Sequence, residues 1–250
     1  MRPNDYDAFA RAYAADNEVN LSNAHYERPA VLALAGDVAG RRVLDAGCGS
    51  GVLTAALRDR GAEVTGIDSS AGLLDLARAR LGPDLALLQA DLASPLPFPD
   101  AAFDDVTASL VLHYLEDWQP TLLEFRRVLR QAGRLIVSTH HPFMDHKLAR
   151  GEDYFATYKI TEEWTKGGQT AVMSFWHRPL HAMTEAFTAA GFGLSVISEP
   201  QPQDAARALF PDDFALFATE PRFLFFVLAA DQAGGRPDWR LASADHEERQ

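Results

Sequence analysis

The chain of 250 residues is short of cysteine, of positive charge and of long apolar runs, and each shortage excludes something. Its single cysteine, Cys48, cannot build a disulfide framework or a cysteine-based metal cage within one chain, which fits a reducing, cytoplasmic setting. Lysine and arginine total 23 against 35 aspartates and glutamates, for a net charge of −12. Nucleic-acid binding needs clustered Lys and Arg to meet phosphates, so no nucleic-acid partner is expected. Arg58, Arg60, Arg78, Arg80, Arg126, Arg127 and Arg130 recur at helix-like spacing among apolar residues and read as solvated helix faces. No run approaches the roughly eighteen apolar residues needed to cross a membrane. The polar, acidic opening Met1-Arg2-Pro3-Asn4-Asp5-Tyr6-Asp7 is not expected to act as a signal peptide. The length suits one large domain, or one domain with insertions.

What the chain does have is a dense glycine run, Val43-Leu44-Asp45-Ala46-Gly47-Cys48-Gly49-Ser50-Gly51. Val43 and Leu44 read as the end of a buried strand, and Val52, Leu53, Ala55, Ala56 and Leu57 open a helix. Glycines between a strand and a helix allow a tight turn and let the backbone approach a ligand with no Cβ in the way. A nicotinamide-binding turn reads G-x-G-x-x-G and lays a pyrophosphate on the helix N-terminus. Here the run is G-x-G-x-G, with Asp45 two residues ahead of it. A carboxylate there repels a pyrophosphate and suits a cation or an amino group.

Beyond this turn, strand and helix alternate. Strands are expected at Glu63–Ile67, Leu85–Ala90, Phe103–Ser109 and Arg134–Thr139, and helices after Ser69 or Ser70 and after Asp117, the latter stopped by Gly133. No hairpin signal interrupts this pattern, so the sheet should be mainly parallel with helices on both faces. Such sheets bind ligands beyond the carboxyl ends of their strands, where Asp45, Asp68, Asp91, Ser109 and His140 all fall. Residues 142–178 break the rhythm. Phe143, Tyr154, Phe155, Tyr158, Trp164, Phe175 and Trp176 stud a polar segment too aromatic for a linker, read as a cap inserted over the site. Pro179 then opens a helix ended by Gly191, Leu194–Ser198 forms a sixth strand, and Arg222–Leu228 forms a seventh, expected to be antiparallel. Asp231–Gln250 is charged, poor in large apolar groups and expected to be a disordered tail.

The motif order resembles the class I S-adenosylmethionine-dependent methyltransferases, in particular the small-molecule type typified by the ubiquinone and menaquinone biosynthesis enzymes. Their D/E-x-G-x-G-x-G motif is met by Asp45, Gly47, Gly49 and Gly51. The resemblance covers residues 40–140 well and 179–229 by architecture. It implies a Rossmann-like α/β fold, a seven-stranded, mostly parallel sheet with helices on both faces and an inserted aromatic cap. Residues 1–40 would supply N-terminal helices covering the site, 41–230 the methyltransferase domain with its insertion at about 142–178, and 231–250 the tail. It also implies S-adenosyl-L-methionine as cofactor. Asp45, Ala46, Gly47, Gly49 and Gly51 would hold its amino acid part. Asp68, with Ser69 after it, would take both ribose hydroxyls, and charge-assisted hydrogen bonds of that kind contribute roughly 1.5–3 kcal/mol each. Asp91 and Leu92 would meet the adenine, and Ser109 and Leu110 the floor near the sulfonium. Tyr13 or Tyr26 could close over a ligand or simply pack the N-terminal helices.

Methyl transfer needs a base only when the acceptor arrives protonated. His140, His113 and His141 are the candidates, because imidazole titrates near neutrality; His25, Tyr26 and His177 rank lower. No H-E-x-x-H run occurs, and His140 and His141 point oppositely if extended, so no metal is expected. The expected partner is a small, partly apolar acceptor at an oxygen, nitrogen or carbon atom, with no nucleic acid and no membrane, and with a homodimer left open. No N/D-P-P-Y/F run follows the fourth strand, which argues against DNA bases. Two other readings compete: a noncatalytic S-adenosylmethionine-binding module, and a nicotinamide-dependent oxidoreductase, the latter disfavoured by the glycine spacing, by Asp45 and by the lack of a Tyr-x-x-x-Lys pair.

Overall fold

The computed structural model describes residues 4–230. A short helical turn at Tyr6–Phe9 leads into α1 (Ala10–Val19), and a π-helical turn at Asn23–Glu27 leads into α2 (Arg28–Ala35). There follow β1 (Arg42–Ala46), α3 (Val52–Asp59), β2 (Glu63–Asp68), α4 (Ala71–Leu81), β3 (Leu87–Gln89) and β4 (Phe103–Ser109). Next come α5 (Gln119–Val128), β5 (Leu129–His140), α6 (Pro142–Ala149), β6 (Tyr158–Lys166) and β7 (Gln169–His177). The chain continues with α7 (Leu180–Ala189), β8 (Gly193–Ser198), α8 (Pro211–Phe217) and β9 (Phe223–Ala229).

Seven strands form one sheet in the order β3-β2-β1-β4-β5-β9-β8. β1 to β5 are parallel, and β9 runs antiparallel to both its neighbours, as expected of the seventh strand, with α8 in the connection from β8. The strand order reverses between β1 and β4, which opens a crevice beyond their carboxyl ends. Period-two alternation builds two cores. Leu44, Leu135, Val137, Leu224 and Phe226 face one side with Trp118, Leu122 and Phe125 of the α5 region and Met183 and Phe187 of α7. Val43, Ile136, Phe225 and Val227 face the other with Val31 of α2, Leu53 and Leu57 of α3, and Phe214 and Phe217 of α8.

The sheet is pinned at the end opposite the crevice. Arg134 donates two hydrogen bonds of 2.8 Å to Asp105, which also pairs with Arg41, while Asp104 pairs with Arg42 and Arg130. Burial alone would raise the Asp105 carboxyl, but the bonds from Arg134 and Arg41 outweigh it and hold that group below the usual carboxylate range. The N-terminal turn is latched at the other end of the molecule: Asp7 accepts from Ser70 Oγ and from the Gly72 N–H, at the start of α4. Ser70 in turn caps α4 by accepting from the Leu73 N–H, as its position after β2 suggested.

Three expectations need correction. A hairpin does interrupt the alternation: β6 and β7 pair antiparallel from Tyr158 with His177 to Lys166 with Gln169. Gly167 and Gly168 make its two-residue turn with φ of +54° and +76°, the conformation that lets a tight turn match strand twist. Gly133 does not stop the helix before the fifth strand, since α5 ends at Val128 and β5 already starts at Leu129, with an irregular register before Arg134. The third strand is shorter than read, at Leu87–Gln89. The expected tail, Asp231–Gln250, lies outside the described residues.

Candidate active site

The glycine turn is fastened to the end of β2. The N–H groups of Gly47 and Cys48 both donate to the Ile67 carbonyl, at 2.8 and 2.9 Å. Asp68, one residue on, accepts from the Gly49 N–H at 2.9 Å and from the Ser70 N–H at 2.8 Å. Burial raises its carboxyl above the usual range, against the lowering effect of the backbone N–H groups of Ser70, Gly49 and Ser69. Two of the glycines serve different ends. Gly51 has φ +78°, and a Cβ there would fall 2.6 Å from Leu81 Cδ1 and 3.1 Å from Ala77 Cβ, so it allows α3 to approach α4. Gly49 has φ +55°, and a Cβ there would meet nothing within 4 Å, so its backbone faces open space.

That space is a cleft open to solvent beyond β1, β2 and β4, bordered by the glycine turn, Asp68, Ser69, Ser109 and Leu110. The N-terminal helices close it with Tyr6, Tyr13, Glu27 and Arg28. Asp45 lies at its floor, fully buried, with Oδ2 accepting from Thr54 Oγ1 at 2.6 Å and Oδ1 from Thr107 Oγ1 at 3.0 Å. Burial pushes its pKa up to about 6 despite those two hydroxyls. Glu27 is buried too, and its Oε1 accepts from Ser109 Oγ at 2.7 Å and from Ser138 Oγ at 2.5 Å, which ties the π-turn to the ends of β4 and β5. Arg28 donates from Nη2 to the backbone and side-chain oxygens of Asn17, both at 2.9 Å.

A second cavity, with about 1760 Å³ of empty space, lies alongside, between the tip of β5 and the segment α6–β6–β7. Tyr13, Asn23, Leu110 and Tyr114 line both cavities. Aromatic walls dominate the second one, with Tyr114, Trp164, Phe175, Phe217 and Phe223, and His113, His140, Asp145, Glu162 and Arg222 add polar groups. The His113 and His140 rings stack at 3.9 Å between centroids and 15° between planes. His113 is buried, and burial followed by the neighbouring His140 holds its pKa well below the usual histidine value, so it stays neutral.

Against known proteins, residues 44–137 match the family model described as a methyltransferase domain. A crystal structure of an S-adenosylmethionine-dependent methyltransferase from Mesorhizobium loti is 27% identical with a TM-score of 0.64, over 80% of this chain and 96% of that one. Across these matches the chain is similar to S-adenosylmethionine-dependent methyltransferases, with the likeness in sequence strongest over residues 44–137. Among its curated relatives, a demethylmenaquinone methyltransferase from Clavibacter sepedonicus is 36% identical over 135 residues, covering 53% of this chain and 55% of the relative. A malonyl-[acyl-carrier protein] O-methyltransferase from Serratia marcescens is 41% identical over 100 residues, covering 40% and 38%. The chain thus spans at most about half the length of these curated relatives.

The first cavity fits the cofactor of class I methyltransferases by its donor set. It offers a buried carboxylate at a strand tip (Asp68), a guanidinium at the wall (Arg28) and an unobstructed glycine backbone (Gly49), which suit hydroxyls, a carboxylate and a close-lying chain. Of the residues expected there, Asp45, Gly47, Gly49, Asp68, Ser69, Ser109, Leu110 and Tyr13 border it. Ala46 is buried in the sheet core, and Gly51 faces α4. Asp91 and Leu92 are not brought in: Asp91 is exposed and turns the chain by accepting from the Ala93 N–H, and Leu92 packs into the core. Tyr26 is core as well, against Phe217, Phe223 and Phe225, so of the two tyrosines only Tyr13 stands at a cavity wall.

Of the histidines expected as bases, His113 and His140 border the second cavity and His141 does not. Alternation along the strand turns His141 away. Its Nδ1 accepts from the Phe143 N–H at the start of α6, and its Nε2 meets Glu199 at 2.7 Å. His25 packs on Phe210, and His177 is buried against Tyr158, with Nε2 bonded to the Tyr154 carbonyl. His177 and His181 have H-x-x-x-H spacing, but Pro179 separates them, so one ends β7 and the other sits in α7. Sequence reading missed Glu27, Arg28 and Asp145. A lone acid and base between Tyr26 and the apolar run of α2 was the available signal for the first two. Asp145 had none.

Proposed function

We propose that the chain moves a methyl group from S-adenosylmethionine to a small, partly apolar molecule. The observation that carries this reading is the shared wall of Tyr13, Asn23, Leu110 and Tyr114, which sets the cleft at the glycine turn against an aromatic one at the carboxyl ends of β4 and β5. Asp68 would accept from the cofactor's hydroxyls, Arg28 would meet its carboxylate, and the Gly49 backbone would leave room for the chain between them. When bound, the cofactor supplies a methyl carbon made electrophilic by its positive sulfur. The residues of the shared wall keep water from the junction and hold the acceptor in line, and positioning of this kind is worth about 7–11 kcal/mol. His140, at the edge of the second cavity, takes the acceptor's proton.

The curated relatives are named for different acceptors, demethylmenaquinone and malonyl-[acyl-carrier protein], and support the reaction class more than any one acceptor. The aromatic walls support an apolar one, and the single, buried cysteine supports a cytoplasmic setting. Transfer of a radiolabelled methyl group to a panel of small phenols, heterocycles and carboxylic acids tests the reading. Turnover should fall at least tenfold in His140→Ala while cofactor affinity holds. Cofactor binding with no transfer to any acceptor in the panel favours the noncatalytic binding module instead.

A further inference from the structure

Asp145, in the first turn of α6, carries a carboxylate whose side chain is only 3% exposed. Among the described residues its one polar side-chain contact is Nδ1 of His140, at 3.3 Å. A buried carboxylate is costly unless a donor or a positive charge meets it, and an ionised carboxylate offers acceptors only. The contact therefore favours a proton on Nδ1, which leaves Nε2 of the neutral ring with a free lone pair. Among the described residues no hydrogen bond is made to Nε2, and the ring borders the second cavity. Its plane is held by the stacked His113 on the turn after β4, by the edge of Phe175 of β7 at 4.6 Å, and by Phe223 of β9 at 6.3 Å. His113 stays neutral and does not compete as a cation.

We propose that Asp145 is a positioning residue that fixes His140 as its Nδ1–H tautomer, and that the acceptor is a protic molecule, a phenol, enol or ring N–H compound, that gives its proton to Nε2. The inference rests on the methyl-transfer reading above. The acceptor's O–H or N–H bond breaks, its proton forms the new bond at Nε2, and the bonding pair stays on the acceptor. That pair makes the bond to the methyl carbon, and the pair of the cleaved carbon–sulfur bond stays on sulfur. The imidazolium so formed lies beside Asp145, which neutralises it until the proton passes to water at the cavity mouth.

Long-range proton–nitrogen NMR on the full chain with nitrogen-15 histidine, with and without S-adenosylhomocysteine, tests this. The His140 signals are assigned by their loss in His140→Gln. The expected result is a neutral His140 protonated at Nδ1. In Asp145→Ala the proton should move largely to Nε2. Asp145→Glu, which restores a carboxylate, should return part of the proton to Nδ1. A wild-type ring protonated at Nε2, or a tautomer that does not move in Asp145→Ala, overturns the positioning role. Failure of the wild-type chain to bind S-adenosylhomocysteine overturns the methyl-transfer reading, and the acceptor class with it, whatever the tautomer.

Discussion

Replacing Asp45 with asparagine should make the folded chain more stable at neutral pH. Its carboxyl is fully buried and titrates at about 6 in the folded state, against about 3.9 in an unfolded chain. The folded state thus holds this proton more tightly, so the contribution of Asp45 to stability is full below pH 4 and lost as pH rises through about 6. A difference of two units at 1.36 kcal/mol each makes the ionised side chain about 3 kcal/mol unfavourable above that range. An asparagine removes the charge and keeps both contacts, because its amide can donate to one of the hydroxyls of Thr54 and Thr107 and accept from the other. Urea unfolding followed by tryptophan fluorescence should show Asp45→Asn ahead by up to about 3 kcal/mol at pH 7.5, with the gain vanishing near pH 4. Under the proposed function the native carboxylate has a use that offsets its cost: it would lie near the positive sulfur of S-adenosylmethionine. The variant should therefore lose more affinity for S-adenosylmethionine than for the uncharged S-adenosylhomocysteine. A variant less stable than wild type by the same amount at both pH values refutes this reasoning, since hydrogen bonding rather than charge burial would then govern the site.

The two glycines should separate binding from folding. Gly51→Ala, which puts a methyl onto Leu81 and Ala77 at positive φ, should cost about 3 kcal/mol in urea unfolding. Gly49→Ala should cost only the backbone strain of about 1–2 kcal/mol but weaken S-adenosylhomocysteine binding at least tenfold; the reverse pattern contradicts the assignment of their faces. Asp105→Asn leaves Arg41 and Arg134 without their carboxylate at the far end of the sheet. Those arginines are 25% and 28% exposed, so the loss at pH 7 should be near the low end for a broken buried pair, about 3 kcal/mol. Because the folded carboxyl is held below its unfolded value, this stabilisation is present above about pH 4 and lost as pH falls through the folded pKa, and a loss that does not shrink on acidification removes the ion pair as its cause.

Much of this site could be read before any fold was known, for a physical reason. A buried parallel strand is a short apolar run, and the residue that ends it is placed by the backbone alone, so Asp68, Ser109 and His140 fell at the strand tips once the alternation was recognised. Side-chain pairing across the fold leaves no such trace. Glu27 meets Ser138 over a separation of 111 residues, and nothing in either local sequence announces it. The contact of Asp145 with His140 is near in the chain, yet it depends on a helix entering at Pro142 inside a segment read as irregular. The β6–β7 hairpin had a readable mark in Gly167-Gly168, hidden by the aromatic and charged residues around it. Asp91 went astray because its strand, Leu87–Gln89, stops short of it and leaves the carboxylate to turn the chain.

The measurement closest to the central claim is a calorimetric titration of the full chain with S-adenosylhomocysteine and, separately, with NADH. Saturable one-to-one binding of the first is expected, weakened at least tenfold in Asp68→Ala with no loss of fold, and no binding of the second. Tight NADH binding with none for S-adenosylhomocysteine, or an affinity untouched by the loss of the Asp68 carboxylate, would contradict that claim.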